Sequence, residues 1–365
     1  MNIILSTIGT LQNPKESAHI TTINLAKELQ TIGHQVYIIT EKVSNQPTQT
    51  TIDNITIYRP YRIPLLSKLL SHPLTIRTLR KEKNIKIDII HSMSATPLFI
   101  LNTLIAKILT PHAKIIHSLK SYPRSKLADY GYFLLNFADA IVVPTNTHAQ
   151  KLRFVQQHKI HILPSPIDTT KFHPQPKLPL KKKYGLQHKT ILFYYGALWE
   201  NKGINDLIRA LPEIIKSIPT AHLIIAPRYQ NITAQQSLIT TLHLQNHITF
   251  LLKDITIEDY VNLADLSILP YKNLTGTDGT PSCLLESMAA KTPIVTTELP
   301  ELQEIAKDLV HFAKPNNLSS LASTIISALN NPNPAQIEKA YHHSKQFSNE
   351  KIAKRIEEIY KHTTK

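Results

Sequence analysis

Short runs rich in Ile and Val alternate along the chain with longer stretches in which apolar residues recur at helical spacing. Short apolar runs are typical of buried strands and the longer stretches of amphipathic helices, so the pattern predicts βα repeats around parallel sheets. In the first half the predicted strands are 3–5, 36–40, 87–91, 115–118 and 140–143. A helix over 18–31, ended by Gly33, completes a β-α-β opening.

The same alternation restarts after Lys189, which predicts a second sheet. Its predicted strands are 191–195, 223–226, 248–251, 266–269 and 294–295, with a helix over 204–218. The prolines and lysines of 173–183 predict an exposed linker, so we place the domain boundary near residue 175. The predicted domains are 1–175 and 176–346, and a C-terminal helix over about 347–361 is expected to pack back onto the first domain.

The composition indicates what class of protein this is and in which cellular compartment it is expected. With 365 residues, 42% hydrophobic and 18% charged, the chain is typical of a soluble globular enzyme with two cores. The single cysteine, Cys283, cannot form an intrachain disulfide, and the first residues predict a strand and no signal peptide, which favours a cytoplasmic location. The apolar stretches 97–110 and 132–143 are interrupted by polar or charged residues, so any membrane contact is expected to be peripheral.

The formal charge of +15 is uneven. Residues 1–175 hold 20 Lys and Arg against 9 Asp and Glu, which leaves +11 there and +4 in the remainder. Segment 58–86 interleaves basic and apolar residues and is able to lie on an anionic lipid surface at the inner face of the cell membrane. A solvated face over the first sheet explains the pattern equally, and Pro60, Pro64 and Pro73 argue against one long helix. No motif beyond charge indicates nucleic-acid binding.

The segment from Gly276 to Val295 holds two acids, Asp278 and Glu286. The glycine and proline between them predict a turn and a helix start whose free backbone N–H groups cradle a diphosphate. Glu286 would accept hydrogen bonds from two ribose hydroxyls, and Asp278 would hold the donor sugar. The predicted donor-binding residues are Gly196, Gly203, Gly279, Thr280, Pro281, Ser282, Cys283 and Leu284.

A second segment, Tyr195 to Ile204, lies where a predicted strand passes into a helix. Gly196 permits a close backbone approach, and Lys202 reaches an anion above the sheet edge. Negative charge develops on a phosphate that leaves during group transfer, and a cation placed there stabilises the transition state. The predicted catalytic residues are therefore Lys202, Asp278 and Glu286.

Both segments resemble motifs of glycosyltransferase family 4, the group 1 retaining enzymes. The first resembles EGxPxxLLEAMAxGxPVV, which carries an E-x7-E pair, and the second resembles GRLxxxKG. Asp278 stands for the first Glu, and Ala197 stands where members often have Arg, so Lys202 bears more of the charge. The resemblance implies a GT-B fold, in which two Rossmann-like, doubly wound parallel-sheet domains face a central cleft.

The first half matches the family in outline. The loop from Thr7 to His19 resembles the GGxxxH loop beneath the acceptor; it keeps Gly9 and His19 and has Pro14-Lys15 in place of Gly-Gly. His91 corresponds to the first His of a DvvHxH strand end, and Lys120 stands where the family often has His. The resemblance makes Gly9, His19, His91 and Lys120 the acceptor-side candidates. Asp168 matches the family's VD turn and is expected to fix that turn.

The function implied is metal-independent, retaining transfer of a hexose from a nucleotide-sugar to a glycan or lipid-linked acceptor, in cell-surface polysaccharide or glycolipid synthesis. No Asp-x-Asp and no zinc-type Cys/His spacing occurs, so we expect no metal and no cofactor. The 8 glycines form no Gly-x-Gly-x-x-Gly turn, which excludes a dinucleotide oxidoreductase. A nucleotide-sugar epimerase, a phosphorylase or a sugar-nucleotide binding protein without turnover stay open as alternatives on the same fold.

Overall fold

A computed structural model of the protein describes residues 1–7, 17–41, 46–60, 67–94, 96–121 and 131–364. Gly9 and much of the loop around it lie outside these residues. The chain divides into two compact units. The first contains Met1–Pro166, Gly276–Gly279 and Asn349–Lys365, and the second contains Ile167–Thr275 and Thr280–Ser348.

The first unit is built on an eight-stranded sheet. Its strands are β1 (Asn2–Ser6), β2 (Gln35–Ile39), β3 (Gln49–Ile52), β4 (Ile55–Tyr58), β5 (Ile89–Ser92), β6 (Lys114–Ser118), β7 (Ala140–Val143) and β8 (Ile160–Ile162). The order is β3-β4-β2-β1-β5-β6-β7-β8, and every pair is parallel except the β3–β4 hairpin. Central strands such as β7 are buried along their whole length because helices cover both faces, which explains their continuous apolar sequence.

Helices cover both faces of this first sheet. They are α1 (Ser17–Thr31), α2 (Ser67–Glu82), α3 (Pro97–Leu109), α4 (Asn146–Lys151) and the C-terminal α13 (Asn349–Thr364). The expectation that prolines would break segment 58–86 is wrong for Pro73, which lies inside α2. Ile76 and Leu79 of α2 are both 1% exposed, and their burial in the core stabilises the helix enough to offset the missing hydrogen bond.

The second unit is built on a six-stranded parallel sheet. Its strands are β9 (Thr190–Gly196), β10 (Ala221–Pro227), β11 (Ile248–Phe250), β12 (Leu266–Leu269), β13 (Ile294–Thr297) and β14 (His311–Ala313). Its helices are α5 (Lys177–Lys183), α6 (Ile204–Ser217), α7 (Thr233–Thr241), α8 (Ile257–Leu263), α9 (Ser282–Ala289), α10 (Pro300–Ala306), α11 (Leu318–Asn330) and α12 (Pro334–Ser344). The order is β11-β10-β9-β12-β13-β14, so both predicted doubly wound parallel sheets are confirmed.

The predicted exposed linker 173–183 is partly wrong, because its second half forms α5 and packs on α8. Leu180 is 9% exposed, and Lys181 donates to Asp265 over 2.5 Å and to the Lys189 carbonyl over 2.9 Å. Lys177 also reaches Asp265, at 3.3 Å. One buried leucine and a carboxylate shared by two lysines therefore fix a segment whose composition suggests a loop.

The C-terminal helix α13 belongs to the first unit and packs on α1. Tyr360 is fully buried, and its hydroxyl lies 2.6 Å from Nδ1 of His91. Glu357, one turn earlier, lies 3.1 Å from Nε2 of His34. These two contacts attach the end of the chain to strands and turns that are more than two hundred residues away in sequence.

Candidate functional site

The second unit has a topological switch point between β9 and β12. From β9 the chain proceeds outward to β10 and β11, and it then returns to the other side of β9 to form β12. Loops that leave two such strands diverge and open a crevice at the carboxyl edge of the sheet, where doubly wound sheets bind ligands. Segment 195–204 follows β9, and the part of the other motif that belongs to the second unit, 280–295, follows β12, so the topology brings them to one edge.

The loop after β9 is held tightly against the loop after β12. Gly203 has φ +73°, and a Cβ at this position would overlap the carbonyl oxygen of Pro270. Asn201 donates to the Thr275 carbonyl over 3.0 Å and accepts from Lys272 N through its own carbonyl at 2.9 Å. The Lys-Gly pair of the motif is therefore explained by a backbone approach that only glycine allows.

Glu286 lies one turn into α9 and contacts the end of β9. Tyr195 Oη donates to Glu286 Oε2 over 2.8 Å and to the Cys283 carbonyl over 3.3 Å. Burial raises the pKa of Glu286 to about 7, against the opposing effects of the Tyr195 hydrogen bond and of the Lys171 charge. The carboxyl group therefore changes its protonation state near neutral pH.

Helix α9 begins at Ser282 after the N-cap Pro281, as the motif predicts. One detail of the prediction is wrong: the N–H of Leu284 donates to the Pro281 carbonyl over 3.0 Å and is not available to a ligand. Thr280 and Cys283 are both buried, and the Cys283 thiol lies 3.1 Å from the hydroxyl of Tyr271. The first turn thus offers fewer donors than the sequence suggests.

Two cations are placed at this edge. Lys202 Nζ lies 4.6 Å from the centroid of the Tyr271 ring. Arg228, which sequence reasoning missed, directly follows Pro227, the β10 residue paired with Gly196, and its N–H donates to the Gly196 carbonyl over 2.8 Å. Its positive charge lowers the pKa of Tyr271 and of Cys283, against the larger effect of burial, which raises both. The sequence feature that could have pointed to Arg228 is Ala197, because the family often has an arginine there and this chain therefore lacks that second cation in the motif.

Asp278 and Gly279 belong to the first unit, in which they join the end of β6. Ser121 and Asp278 form an antiparallel bridge, and the Gly279 N–H donates to the Lys120 carbonyl over 3.0 Å. Ser165 donates to Asp278 Oδ2 over 2.6 Å. A Cβ on Gly279 would overlap the His148 ring, so this glycine is required by a close approach.

Lys120 is the candidate that lies nearest to Asp278 in the fold. Its Nζ is buried and, among the described residues, has no hydrogen-bond partner. Burial lowers the pKa of Lys120, and the charge of Asp278 opposes that shift. The side chain lines a cavity together with Met93, Ser118, Ser165 and Ile352. A buried cation is therefore held beside the first acid of the motif pair.

The other acceptor-side candidates have different environments. His91 is fully buried with both ring nitrogens engaged, by Tyr360 and by Ser118 Oγ at 2.8 Å, and burial lowers its pKa to about 3. This position suits a packing role. His19 is 4% exposed on α1. Asp168 accepts from the N–H groups of Thr170 and Lys171 at 3.0 and 3.1 Å, which confirms that it fixes the turn.

The described residues hold neither a candidate metal site nor a helix that could span a membrane. Among the described residues, His, Cys, Asp and Glu side chains do not assemble into a group of three that could hold a metal ion. None of the helices in the described part of the chain has both the length and the apolar character that a membrane span requires.

The comparisons with known proteins agree with this architecture. The family model for glycosyl transferases group 1 matches residues 177–361, and that for glycosyltransferase family 4 matches residues 18–171. The N-acetyl-alpha-D-glucosaminyl L-malate synthase of Bacillus anthracis is 23% identical over 92% of this chain and 91% of its own length. The alpha-monoglucosyldiacylglycerol synthase of Acholeplasma laidlawii is 22% identical over 93% of this chain and 92% of its own.

A solved structure shows the same fold. The Anabaena protein HepE in complex with UDP-glucose has a TM-score of 0.79 at 16% identity, covering 97% of this chain and 98% of that one. At this identity the likeness concerns the fold alone. The two family models together cover nearly the whole chain, and each lies over one of the two doubly wound sheets. The chain therefore belongs to the group 1 glycosyltransferases and is a glycosyltransferase of the GT-B fold.

Proposed function

We propose that this enzyme transfers a hexose from a nucleotide-sugar donor to a glycan or lipid-linked acceptor, in the synthesis of a cell-surface polysaccharide or glycolipid. The observation that carries the proposal is the position of Glu286, which is hydrogen-bonded to Tyr195 at the switch point of the second sheet. Two relatives are an N-acetyl-alpha-D-glucosaminyl L-malate synthase and an alpha-monoglucosyldiacylglycerol synthase, and the structure of HepE contains UDP-glucose. These names support a nucleotide-sugar donor and leave the acceptor class open.

The donor nucleotide is proposed to bind along the carboxyl edge of β9 and β12. Glu286 in its carboxylate form accepts hydrogen bonds from the ribose hydroxyls. The diphosphate lies at the start of α9, where the N–H groups of Ser282 and Cys283 and the helix dipole favour an anion. Gly196 and Gly203 have no side chain and adopt positive φ, so the backbone of the loop after β9 leaves room for the diphosphate.

Lys202 and Arg228 are proposed to share the charge that develops on the leaving diphosphate. Ala197 is 2% exposed and contributes no cation, whereas Arg228 reaches the same edge from β10. Positive groups that face a growing negative charge lower the barrier without needing to reorganise. These two side-chain cations would neutralise the leaving diphosphate, a role that a divalent metal has in other transferases. We therefore propose metal-independent catalysis.

Asp278 is proposed to hold the donor sugar, with Lys120 as its buried counter-charge and His19 on the acceptor side. Like the family it resembles, the enzyme is expected to retain the anomeric configuration, with the acceptor hydroxyl attacking while the leaving phosphate assists. We propose that it acts in the cytoplasm, at the inner face of the cell membrane when the acceptor is a lipid.

The first test is isothermal titration of UDP, GDP and ADP into the wild type and Glu286→Ala, with and without EDTA. We expect one nucleotide to bind, the variant to lose that binding, and EDTA to have no effect. NMR of the product then gives the anomeric configuration. Absence of binding by all three nucleotides would overturn the donor site, and binding without donor hydrolysis or transfer would identify a sugar-nucleotide binding protein.

A further inference from the structure

Eight large apolar side chains are exposed on the described part of the first unit, and five of them lie on α3, in the 3-10 helix after residue 131, or after α4. Ile108 is 78% exposed, Phe154 65%, Phe137 63%, Phe133 52% and Leu101 39%. We call these five residues the aromatic patch. Leu101 and Ile108 lie seven residues apart on α3 and therefore on one face of it. Phe133 and Phe137 lie four apart in the 3-10 helix Tyr132–Phe137, and Phe154 follows α4.

Contacts within the first unit bring these elements together. The 3-10 helix packs on α3. Asn136, beside Phe137, donates to the Phe154 carbonyl over 2.7 Å and accepts from Gln156 N over 2.8 Å. Lys107, beside Ile108, donates to Asp139 over 3.3 Å, two residues after Phe137. The exposed side chains thus belong to neighbouring pieces of one surface.

The composition of α3 is unusual for a helix at the surface of a soluble domain. Its inner side supplies Ile100 and Ala106 to the core, and its outer side carries Leu101 and Ile108. A helix that covers a sheet normally has a polar outer face. Apolar residues that protrude as a group on a soluble protein mark a surface that contacts a protein or a membrane.

The charges around the patch favour an anionic partner. Residues 97–121 and 131–162 contain one acid, Asp139, and Lys107 and Lys114 lie 3.3 and 3.4 Å from it. Lys151 and Arg153, both exposed, precede Phe154 in the chain and add two positive charges beside it. Arg80 of α2 donates to the carbonyl of Leu109 and so places a further cation at the end of α3.

We propose that the aromatic patch inserts into the interface of an anionic lipid bilayer, with the surrounding Lys and Arg side chains at the level of the lipid phosphates. Aromatic and aliphatic side chains partition into the interfacial region, and each nearby cation adds attraction to an anionic leaflet. A group of protruding apolar side chains suits a fluid surface, which needs no shape complementarity.

This surface differs from the one that the sequence suggests. In α2 the apolar residues Ile76 and Leu79 face the core and Leu74 is 39% exposed, so this helix contributes less exposed apolar surface than the aromatic patch. The inserting residues come instead from α3 and from the segments around Phe137 and Phe154. The inference rests on the proposed function in one respect: membrane binding would bring the enzyme to a lipid-linked acceptor. Binding to the membrane itself requires neither the donor nor the acceptor.

The test is co-sedimentation with vesicles of equimolar phosphatidylglycerol and phosphatidylcholine, with pure phosphatidylcholine vesicles as reference. We expect the wild type to bind the anionic vesicles and to be released by salt. Phe137→Ser with Phe154→Ser should weaken binding by about tenfold for each phenylalanine removed. Lys151→Gln with Arg153→Gln should weaken binding by about fivefold per charge, on the anionic vesicles only.

Leu178→Ser is the matched control, because Leu178 is 57% exposed but lies in the second unit. It should bind vesicles like the wild type. Titration of every variant with the nucleotide that the wild type binds separates the two proposals, since a patch variant that keeps nucleotide affinity has a working donor site. An unchanged Tm of the first unit shows that the variant is folded. The proposal is overturned if the wild type stays in the supernatant at low salt or if the phenylalanine variants bind like Leu178→Ser. One further outcome would overturn the proposal. Sedimentation velocity would show that the wild type is a dimer and that the phenylalanine variants are monomers, while neither the wild type nor the variants bind vesicles.

Discussion

The phenol of Tyr195, the penultimate residue of β9, donates a hydrogen bond to Glu286 over 2.8 Å, and Glu286 lies in the helix that follows β12. The bond joins the two strands that flank the switch point of the second sheet. It favours the carboxylate form of Glu286, whereas burial favours the acid and dominates, which leaves the pKa at about 7.

The pH dependence of nucleotide binding follows from this balance. If the carboxylate binds the ribose, the affinity for the nucleotide that binds should fall about tenfold from pH 8 to pH 6, as Glu286 takes up its proton. Tyr195→Phe removes the bond that favours the charged form, so the midpoint of the fall should move to higher pH. Isothermal titration across this range measures both. Glu286→Gln is the control, because its residual pH dependence reports the nucleotide alone; an identical profile in wild type and Glu286→Gln would contradict the assignment.

The two cations at the edge of the second sheet should act on turnover more than on folding. We expect Lys202→Gln and Arg228→Gln each to lower kcat by about a hundredfold, because each removes charge from the leaving diphosphate. Arg228→Lys should recover part of the loss. Arg209, 46% exposed on α6 and paired with Asp206, is the control, and Arg209→Gln should leave kcat unchanged. A normal kcat in Arg228→Gln would leave Lys202 as the sole cation of the proposed mechanism.

Gly203 and Gly185 form a matched pair for the backbone argument. Both have positive φ, at +73° and +68°, but a Cβ on Gly185 meets nothing within 4 Å whereas one on Gly203 overlaps Pro270. Gly185→Ala should cost only the strain of the left-handed conformation, about 1 kcal/mol, and Gly203→Ala about 3 kcal/mol or more. Urea unfolding followed by the fluorescence of the single tryptophan, Trp199, reports on the second unit. Equal costs would mean that the loop after β12 moves aside.

The bond between Tyr360 and His91 should contribute to the stability of the first unit. Tyr360→Phe leaves a ring nitrogen of a fully buried histidine without its partner, which should cost about 1–3 kcal/mol. Calorimetry measures the loss as a lower Tm. Tyr229→Phe, at a side chain that is 45% exposed, should leave the Tm unchanged. If kcat falls while Tm stays constant, His91 has the acceptor-side role suggested by its motif.

Hydrophobic periodicity predicted ten strands of the two sheets in their order along the chain, and it missed β3, β4, β8 and β14. The strand over 140–143 and the strand over 266–269 have the predicted bounds, because a strand buried on both faces must be apolar throughout. The start of α9 was equally readable, since Pro281 and Glu286 depend on local backbone conformation and on position along one helix, both of which are set by residues close in sequence.

Only the tertiary structure decided which distant residues complete each site. Arg228 reaches Gly196 because β10 pairs with β9, and sheet register is set by packing that no local pattern records. The lysine-rich segment after residue 176 became a helix because Asp265 lies beside it, and His91 is buried in the core, where its ring contacts the hydroxyl of Tyr360 from the end of the chain. The tertiary structure likewise decided that Phe137 and Phe154 are exposed. An apolar side chain reads alike in sequence whether it faces the core or the solvent, and only the packing around it decides.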